Sequence, residues 1–337
     1  MNLGLDASLA QKYKSVSQGI RVMTENWAAK NMYCPRCGAM PLQRFTNNKP
    51  VADLYCSNCQ SEYELKSKSG RMGDKIVDGS YNAMIGRITS DANPDFMFLT
   101  YEQERLEITN FVVVPKHFFV PQIIEKRKPL SETAKRAGWV GCNILLNSIP
   151  RQGRIYIVKN KEISAKKEVI SKLNLSRQLE VSNLSARGWL LDILHCVNSL
   201  PGLEFTIQEM YEFEDVLSQK HPDNNNVRAK IRQQLQILRD RGFISFFRER
   251  LVQKNNRVRS KFLPRVGSIY LHRMGLSWLC FTGRILRSSF RHDFVVLLEA
   301  DRRDDVADEK HGQKSFEHAH KNSVHALFCQ DKNIEKR

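Results

Sequence analysis

Residues 51–68 read VADLYCSNCQSEYELKSK, and two kinds of metal ligand are interleaved in them. Cys56 and Cys59 form a C-x-x-C pair, and a second pair, Cys34-Pro-Arg-Cys37, lies eighteen residues upstream. Each short loop aims two sulfurs at one ion, and two loops complete a tetrahedron, so this spacing reads as a Zn2+ site. All four ligands are protein, which leaves no position for substrate and makes the zinc structural. Such a site contributes folding energy on the order of 10 kcal/mol. Redox dithiols are the alternative, and two matched pairs argue against them. Cys142, Cys196, Cys280 and Cys329 stand alone and read as ordinary residues.

The same stretch carries hard ligands. Asp53 precedes the second cysteine pair, and Glu64-Leu65-Lys66 follows it. On a strand Glu64 and Lys66 share a face, while Leu65 points the other way into apolar packing. Asp53 comes alongside from the adjoining strand of a hairpin. Asp53, Glu64 and the Leu65 carbonyl then make a hard-oxygen set suited to Mg2+. A lysine beside that set can orient or deprotonate a water for attack on phosphorus, with the metal stabilising charge on the phosphate oxygens. Spacing alone is weak support. In a lysine-rich chain, a solvated strand face with one ion pair is the ordinary alternative.

The elements that position these residues come from a chain of 337 residues with 41% hydrophobic residues and a formal net charge of +17. The length allows two or three domains, and the charge favours a polyanionic partner. The opening MNLGLDASLAQKYK has neither an apolar leader core nor a small-residue cleavage site. No apolar run approaches the roughly 18 residues of a membrane span. These features predict a cytoplasmic protein with no membrane partner, whose clustered cysteines bind metal and do not crosslink.

Residues 5–32 carry Leu5, Leu9, Tyr13, Val16, Ile20, Met23 and Trp27 at helical spacing. A helix is also expected over 77–90. DFMFLTY (95–101), LEITNFVVV (106–114) and RIYIVKN (154–160) read as strands, and 121–137 as a basic loop. From about residue 183 the character is helical. One helix spans NLSARGWLLDILHCVNSL. A second opens on the capping box Thr206-x-x-Glu209 and runs to Lys220, and a third ends at Gly242. A strand, FISFF, follows. Three helices and a strand is the order of a winged helix-turn-helix, with a generic helical bundle as the alternative.

Several unusual strings occur in one order: YCPRCG, NNKPVADLYCSNC, ELKSK, NPDFMFLTY, KRAGWVGCNI and IRQQLQILRD. Over about residues 1–249 the chain resembles the DpnI family of methyl-directed restriction endonucleases. The resemblance implies an α/β PD-(D/E)XK nuclease domain over 1–180 with an inserted zinc ribbon (33–60). A winged-helix DNA-binding domain follows over 183–262, and residues 263–337 stay unassigned. It also implies cleavage of double-stranded DNA at GATC carrying N6-methyladenine, with magnesium. Asp53 and Glu64 then correspond to the metal carboxylates, Lys66 to the catalytic lysine, and Cys34, Cys37, Cys56 and Cys59 to the zinc ligands. The protein is read as a monomer. The competing class is a non-catalytic DNA-binding regulator built from ribbon and winged helix, and the intact Asp53–Glu64–Lys66 set argues against it.

In the third helix Val227, Ile231, Leu235 and Leu238 form an apolar stripe, opposite Ala229, Arg232, Gln233 and Gln236. The polar face suits the major groove, where Gln pairs with adenine, Arg with guanine, and Ala touches a methyl group. Trp139 lies between glycines after Lys135 and Arg136. On such a loop an aromatic either wedges between bases or packs the loop itself. The family pattern ends soon after the wing. Here RVRSKF (257–262) is a candidate second wing strand. From Leu251 to His292 there are nine Lys/Arg and no acid, and then seven acids from Asp293 to Glu309. That abrupt switch suggests a frameshifted ending, with a partner-binding extension as the rival. His311, His318, His320, His325 and Cys329 fit no defined metal spacing.

Overall fold

A computed structural model describes residues 1–45, 52–90, 93–248 and 251–255. The proposed tail, 263–337, and the candidate wing strand RVRSKF lie outside the described residues.

Helix α1 (Val16–Asn31) is followed by the short strands β1 (Gln43–Arg44) and β2 (Leu54–Tyr55) and the long β3 (Glu62–Ser69). Next come β4 (Lys75–Ser80), α2 (Tyr81–Thr89), β5 (Asp95–Glu102), β6 (Glu107–Val114), β7 (Ile124–Lys126) and β8 (Gly141–Leu145). β9 (Ile155–Lys159), β10 (Glu162–Ile163) and α3 (Lys166–Ser176) complete this part. The main sheet has the order β1-β2-β3-β5-β6-β9-β10, and a smaller sheet has the order β4-β8-β7. β3 and β5 run parallel, and the other neighbours in the main sheet are antiparallel.

Strand alternation divides the core into two layers. Tyr63, Leu65, Met97, Leu99, Phe111 and Val113 face α1 and α3, where Trp27 meets Phe111 edge-on at 5.5 Å. Phe96, Phe98, Val112 and Val114 face the opposite layer with Ile76, Met84, Ile144 and Phe118. Leu65 therefore packs as its spacing predicts, and Glu64 and Lys66 emerge on the face toward α2 and the small sheet.

Two helical expectations are corrected. Residues 5–32 are not one helix: a 3-10 turn at Ala7–Ala10, capped by Asp6, precedes α1. In 77–90 the first residues join β4, because Val77 and Asp78 pair with Asn143 and Cys142 of β8. Ser80 caps the helix that follows. Long-range pairing overrides the local period there.

The C-terminal part contains α4 (Leu184–Ser199), β11 (Glu204–Thr206), α5 (Ile207–Tyr211), α6 (Glu214–Lys220), α7 (Val227–Asp240), β12 (Ile244–Arg248) and β13 (Leu251–Lys254). The Thr206–Glu209 capping box is present, but the helix it starts is short, and α6 begins afresh at Glu214. β11, β13 and β12 form a three-stranded sheet, in which LVQK (β13) supplies a wing strand paired with β12. Gly242 at φ 81° ends α7, a conformation that favours glycine. The two parts share one apolar core: Phe118, Phe119 and Ile149 cluster with Leu190, Leu194 and Val197. Gln152 and Asn198 also exchange side-chain hydrogen bonds at 3.2 and 2.8 Å.

The cysteine segment is tied to the main sheet by Arg36, which donates to both oxygens of Asp95 at the start of β5, at 2.7 and 3.0 Å. Asp95 is 1% exposed and also accepts the Lys116 N–H. Arg36→Ala strands this buried carboxylate and is expected to cost about 3–5 kcal/mol, read from urea denaturation at neutral pH.

Candidate active site and nucleic-acid interface

The four cysteines converge. Cys34 Sγ lies 3.5 Å from Cys59 Sγ, and Cys37 Sγ lies 3.6 Å from Cys56 Sγ. All four sulfurs fall within 4.8 Å of one another, compact enough for a tetrahedral zinc. Two equivalent turns create this geometry. Gly38 N–H donates to Cys34 O at 2.8 Å, and Gln60 N–H donates to Cys56 O at 2.9 Å. Gly38 and Gln60 both take positive φ, 78° and 58°. Burial pushes the Cys34 thiol up to about 12. Burial also opposes ionisation of Cys37, but hydrogen bonds from Asn58 and the Ala39 N–H outweigh it and bring that thiol down to about 6. The donor set fits zinc.

The sulfur cluster is joined to β3. Cys34 Sγ contacts the Tyr63 hydroxyl at 3.0 Å, one residue before Glu64. Asp53 N–H donates to Tyr63 O at 3.0 Å, and Asp53 Oδ2 accepts Leu65 N–H at 2.8 Å. Asp53 thus lies along the edge of β3 that faces away from β5. A strand residue sends its N–H and C=O to the same edge, so the Leu65 carbonyl shares that edge with Asp53.

Glu64 and Lys66 occupy one face, as their spacing predicts. Lys66 Nζ lies 2.6 Å from Glu64 Oε1, and Arg87 of α2 lies 2.5 Å from Glu64 Oε2. Lys66 Nζ also lies 2.5 Å from Asp78 Oδ1, on β4 of the small sheet. Arg21 approaches Asp53 Oδ1 at 3.4 Å, and Glu25 is held between Arg21 and Arg44. Burial raises the Asp53 and Glu64 pKa values. Burial alone would lower the Lys66 pKa; Glu64 and Asp78 outweigh it, and the value stands above that of a free lysine. Raised carboxyl values favour the fold below the unfolded carboxyl range, and that advantage is lost as pH rises through them. At neutral pH the carboxylates therefore need cations. Asp53, Glu64 and the Leu65 carbonyl are oxygen donors of the type that magnesium takes, and Glu64 meets one only by exchanging a pairing it now makes with Lys66 or Arg87. Among the described residues, the cysteines are the one set of three or more Cys, His, Asp or Glu donors gathered this tightly.

Asp78 and Arg87 were missed from the sequence. Asp78 sits in a segment whose pattern reads as helix, and Arg87 is one of many basic residues. Nothing local marks either as a neighbour of Glu64 or Lys66.

On α7, Val227, Ile231, Leu235 and Leu238 are buried, and Ala229, Arg232, Gln233 and Gln236 are exposed, as expected. Arg232 donates to the Tyr211 hydroxyl at 2.8 Å, and Arg228 stacks over the Tyr211 ring at 5.2 Å. Tyr211 therefore holds both arginines beside the exposed face. Lys135 and Arg136 are exposed on a loop closed by Leu130 N–H to Trp139 O at 2.9 Å and Gly138 N–H to Leu130 O at 3.1 Å. Trp139 is half-buried and folds over Gly141, where an added Cβ would lie 2.9 Å from the indole. Glycine is required for that approach.

The Dam-replacing family model, DpnI, matches residues 1–182, and the Dam-replacing HTH domain model, DpnI_C, matches residues 185–254. The chain belongs to the DpnI family. Membership implies a methyl-directed restriction endonuclease, and its HTH domain implies DNA as partner. Among the described residues, no helix is long and apolar enough to cross a membrane.

From sequence alone, Cys56→Ala is expected to cost folding and cleavage, and Lys66→Ala cleavage alone. The geometry revises the second expectation. Lys66→Ala leaves Glu64 and Asp78 facing each other without their shared cation, at a cost on the order of 3 kcal/mol. The loss should be larger at pH 8 than at pH 5, because burial already raises the Glu64 pKa and lower pH favours its neutral form. Thermal melts at the two pH values check this, and Lys66→Arg, which keeps the charge, should retain the midpoint. Cys56→Ala should lower the midpoint and abolish zinc retention on gel filtration, read by metal analysis.

Proposed function

We propose that this chain is a type II restriction endonuclease of PD-(D/E)XK fold that hydrolyses double-stranded DNA at GATC sites carrying N6-methyladenine, with magnesium. The observation that carries this reading is the placing of Asp53 on the edge of β3 by the Leu65 N–H, beside Glu64 and Lys66 on one face. Asp53, Glu64 and the Leu65 carbonyl are the residues that would hold magnesium. When bound, the ion supplies positive charge against the phosphate oxygens where negative charge builds. Lys66, held as an ammonium, donates to a water and orients it toward phosphorus, and the proton of that water passes to solvent. The products carry a 3′ hydroxyl and a 5′ phosphate. Cys34, Cys37, Cys56 and Cys59 hold zinc and serve folding.

Acting as a monomer in the cytoplasm, the protein would read DNA with both parts. Arg232, Gln233 and Gln236 suit guanine and adenine edges in the major groove, and Ala229 offers an apolar contact for the N6-methyl group, which projects there. Lys135 and Arg136 would supply phosphate contacts, and Trp139 would press on the bases from its loop. The net charge of +17 favours the approach to DNA and makes it salt-dependent.

Purified protein with magnesium should cut a plasmid carrying methyladenine at GATC and leave the unmethylated copy intact, read on an agarose gel. Cutting of both copies would remove the methyl requirement. Cutting of neither would favour a DNA-binding regulator.

A further inference from the structure

We infer that Asp78 is a positioning residue for Lys66, gripping its ammonium from the small sheet so that it stays on the reacting side when Glu64 turns to the metal. The inference rests on the nuclease reading of Asp53, Glu64 and Lys66.

The geometry is that of a clamp. Lys66 Nζ stands between two carboxylates, 2.6 Å from Glu64 Oε1 and 2.5 Å from Asp78 Oδ1. Glu64 and Lys66 belong to β3 of the main sheet, whereas Asp78 belongs to β4 of the other sheet. The lysine is thus fixed from two elements that the chain brings together only in the fold. An ammonium has three N–H donors. Glu64 and Asp78 take two, and one is left for a water or a phosphate oxygen.

Asp78 is itself fixed. Its side chain is 5% exposed, and Oδ1 also accepts the Gly79 N–H at 2.7 Å. The register of β4 against β8 shifts between Asp78 and Ser80, an irregularity of the kind that re-aims a side chain next to a working site. Its neighbours on the inward face of the small sheet are Ile76, Cys142 and Ile144, all buried. A carboxylate among such residues is costly unless a charge meets it, and Lys66 is that charge. Glu64 has a competing duty, because a bound cation would draw on the same oxygens that now hold Lys66 and Arg87. Asp78 has no such duty in this reading. It keeps the ammonium in place after Glu64 is committed.

The test uses the full chain and single-turnover cleavage of a methylated duplex. Asp78→Asn keeps the shape and removes the charge, and should slow cleavage about 10–100-fold, the usual cost of losing a partner that orients a working group. Affinity for the duplex without divalent cation should be unchanged. Asp78→Glu, which restores the carboxylate, should recover more of the rate than Asp78→Asn. Equal loss in both variants, or a wild-type rate in Asp78→Asn, would overturn the inference. Lys66→Arg separates this from the underlying reading. If Lys66→Arg is slow while Asp78→Asn is fast, only the role of Asp78 fails. If Lys66→Arg is as fast as wild type, the role of Lys66 fails first. In the double variant the Asp78→Asn penalty should vanish, since Asp78 acts through Lys66; full additivity would contradict that. Should Asp78→Asn melt early, a crystal structure of the more stable Asp78→Glu protein decides by whether Lys66 Nζ remains against residue 78 or turns away.

Discussion

The hydrogen bond from Leu65 N–H to Asp53 Oδ2, 2.8 Å long, sets the rest of the site. β5 occupies one edge of β3, and β2 reaches only as far as Tyr63 on the other. Beyond Tyr63 the second edge of β3 would lack a backbone partner, and the Asp53 carboxylate fills that place. The same contact brings an acidic group from one side of the second cysteine pair alongside the strand that carries Glu64 on the other side. The intervening chain must leave β2 and return within a few residues. The Cys56 turn, the Cys34 contact with Tyr63 and the Arg36 clamp on Asp95 all hold that excursion. In this account zinc braces the detour, and the hard cation belongs at its base.

Charge balance is the second constraint. Asp53, Glu64, Asp78 and Glu25 are held close to Lys66, Arg87, Arg21 and Arg44 on five different elements and the loop before β2. Buried carboxylates with raised pKa values are a poor way to gain stability at neutral pH. Their presence is the expected signature of a site built to work on charge. The small sheet reaches both regions: its inward face supplies Asp78, and its β8 begins at the Gly141 on which Trp139 lies.

Much of this was legible from short-range pattern. The cysteine spacing announces a metal knuckle because two residues fix the bite of each loop. The E-x-K face follows from strand alternation, and Leu65 packs into the opposite layer as that alternation requires. The apolar stripe of α7 and the Thr206 capping box are equally local. What escaped depends on pairing at long range. Asp78 reads as part of a helix until β8, more than sixty residues away, pairs with it. Tyr211 gives no hint in sequence that it will hold Arg228 and Arg232. LVQK gives no strand signal of its own, being short and polar at its end, and only its pairing with β11 and β12 identifies it.

The central claim is that one short segment serves two metals through separate donors, and calorimetric titration of magnesium into the zinc-loaded protein, bound to a non-hydrolysable methylated duplex, tests it most directly. The account predicts binding in the wild type, its loss in Asp53→Asn, and an undiminished zinc content in that variant. Unchanged magnesium binding in Asp53→Asn, or loss of zinc along with it, would contradict the account.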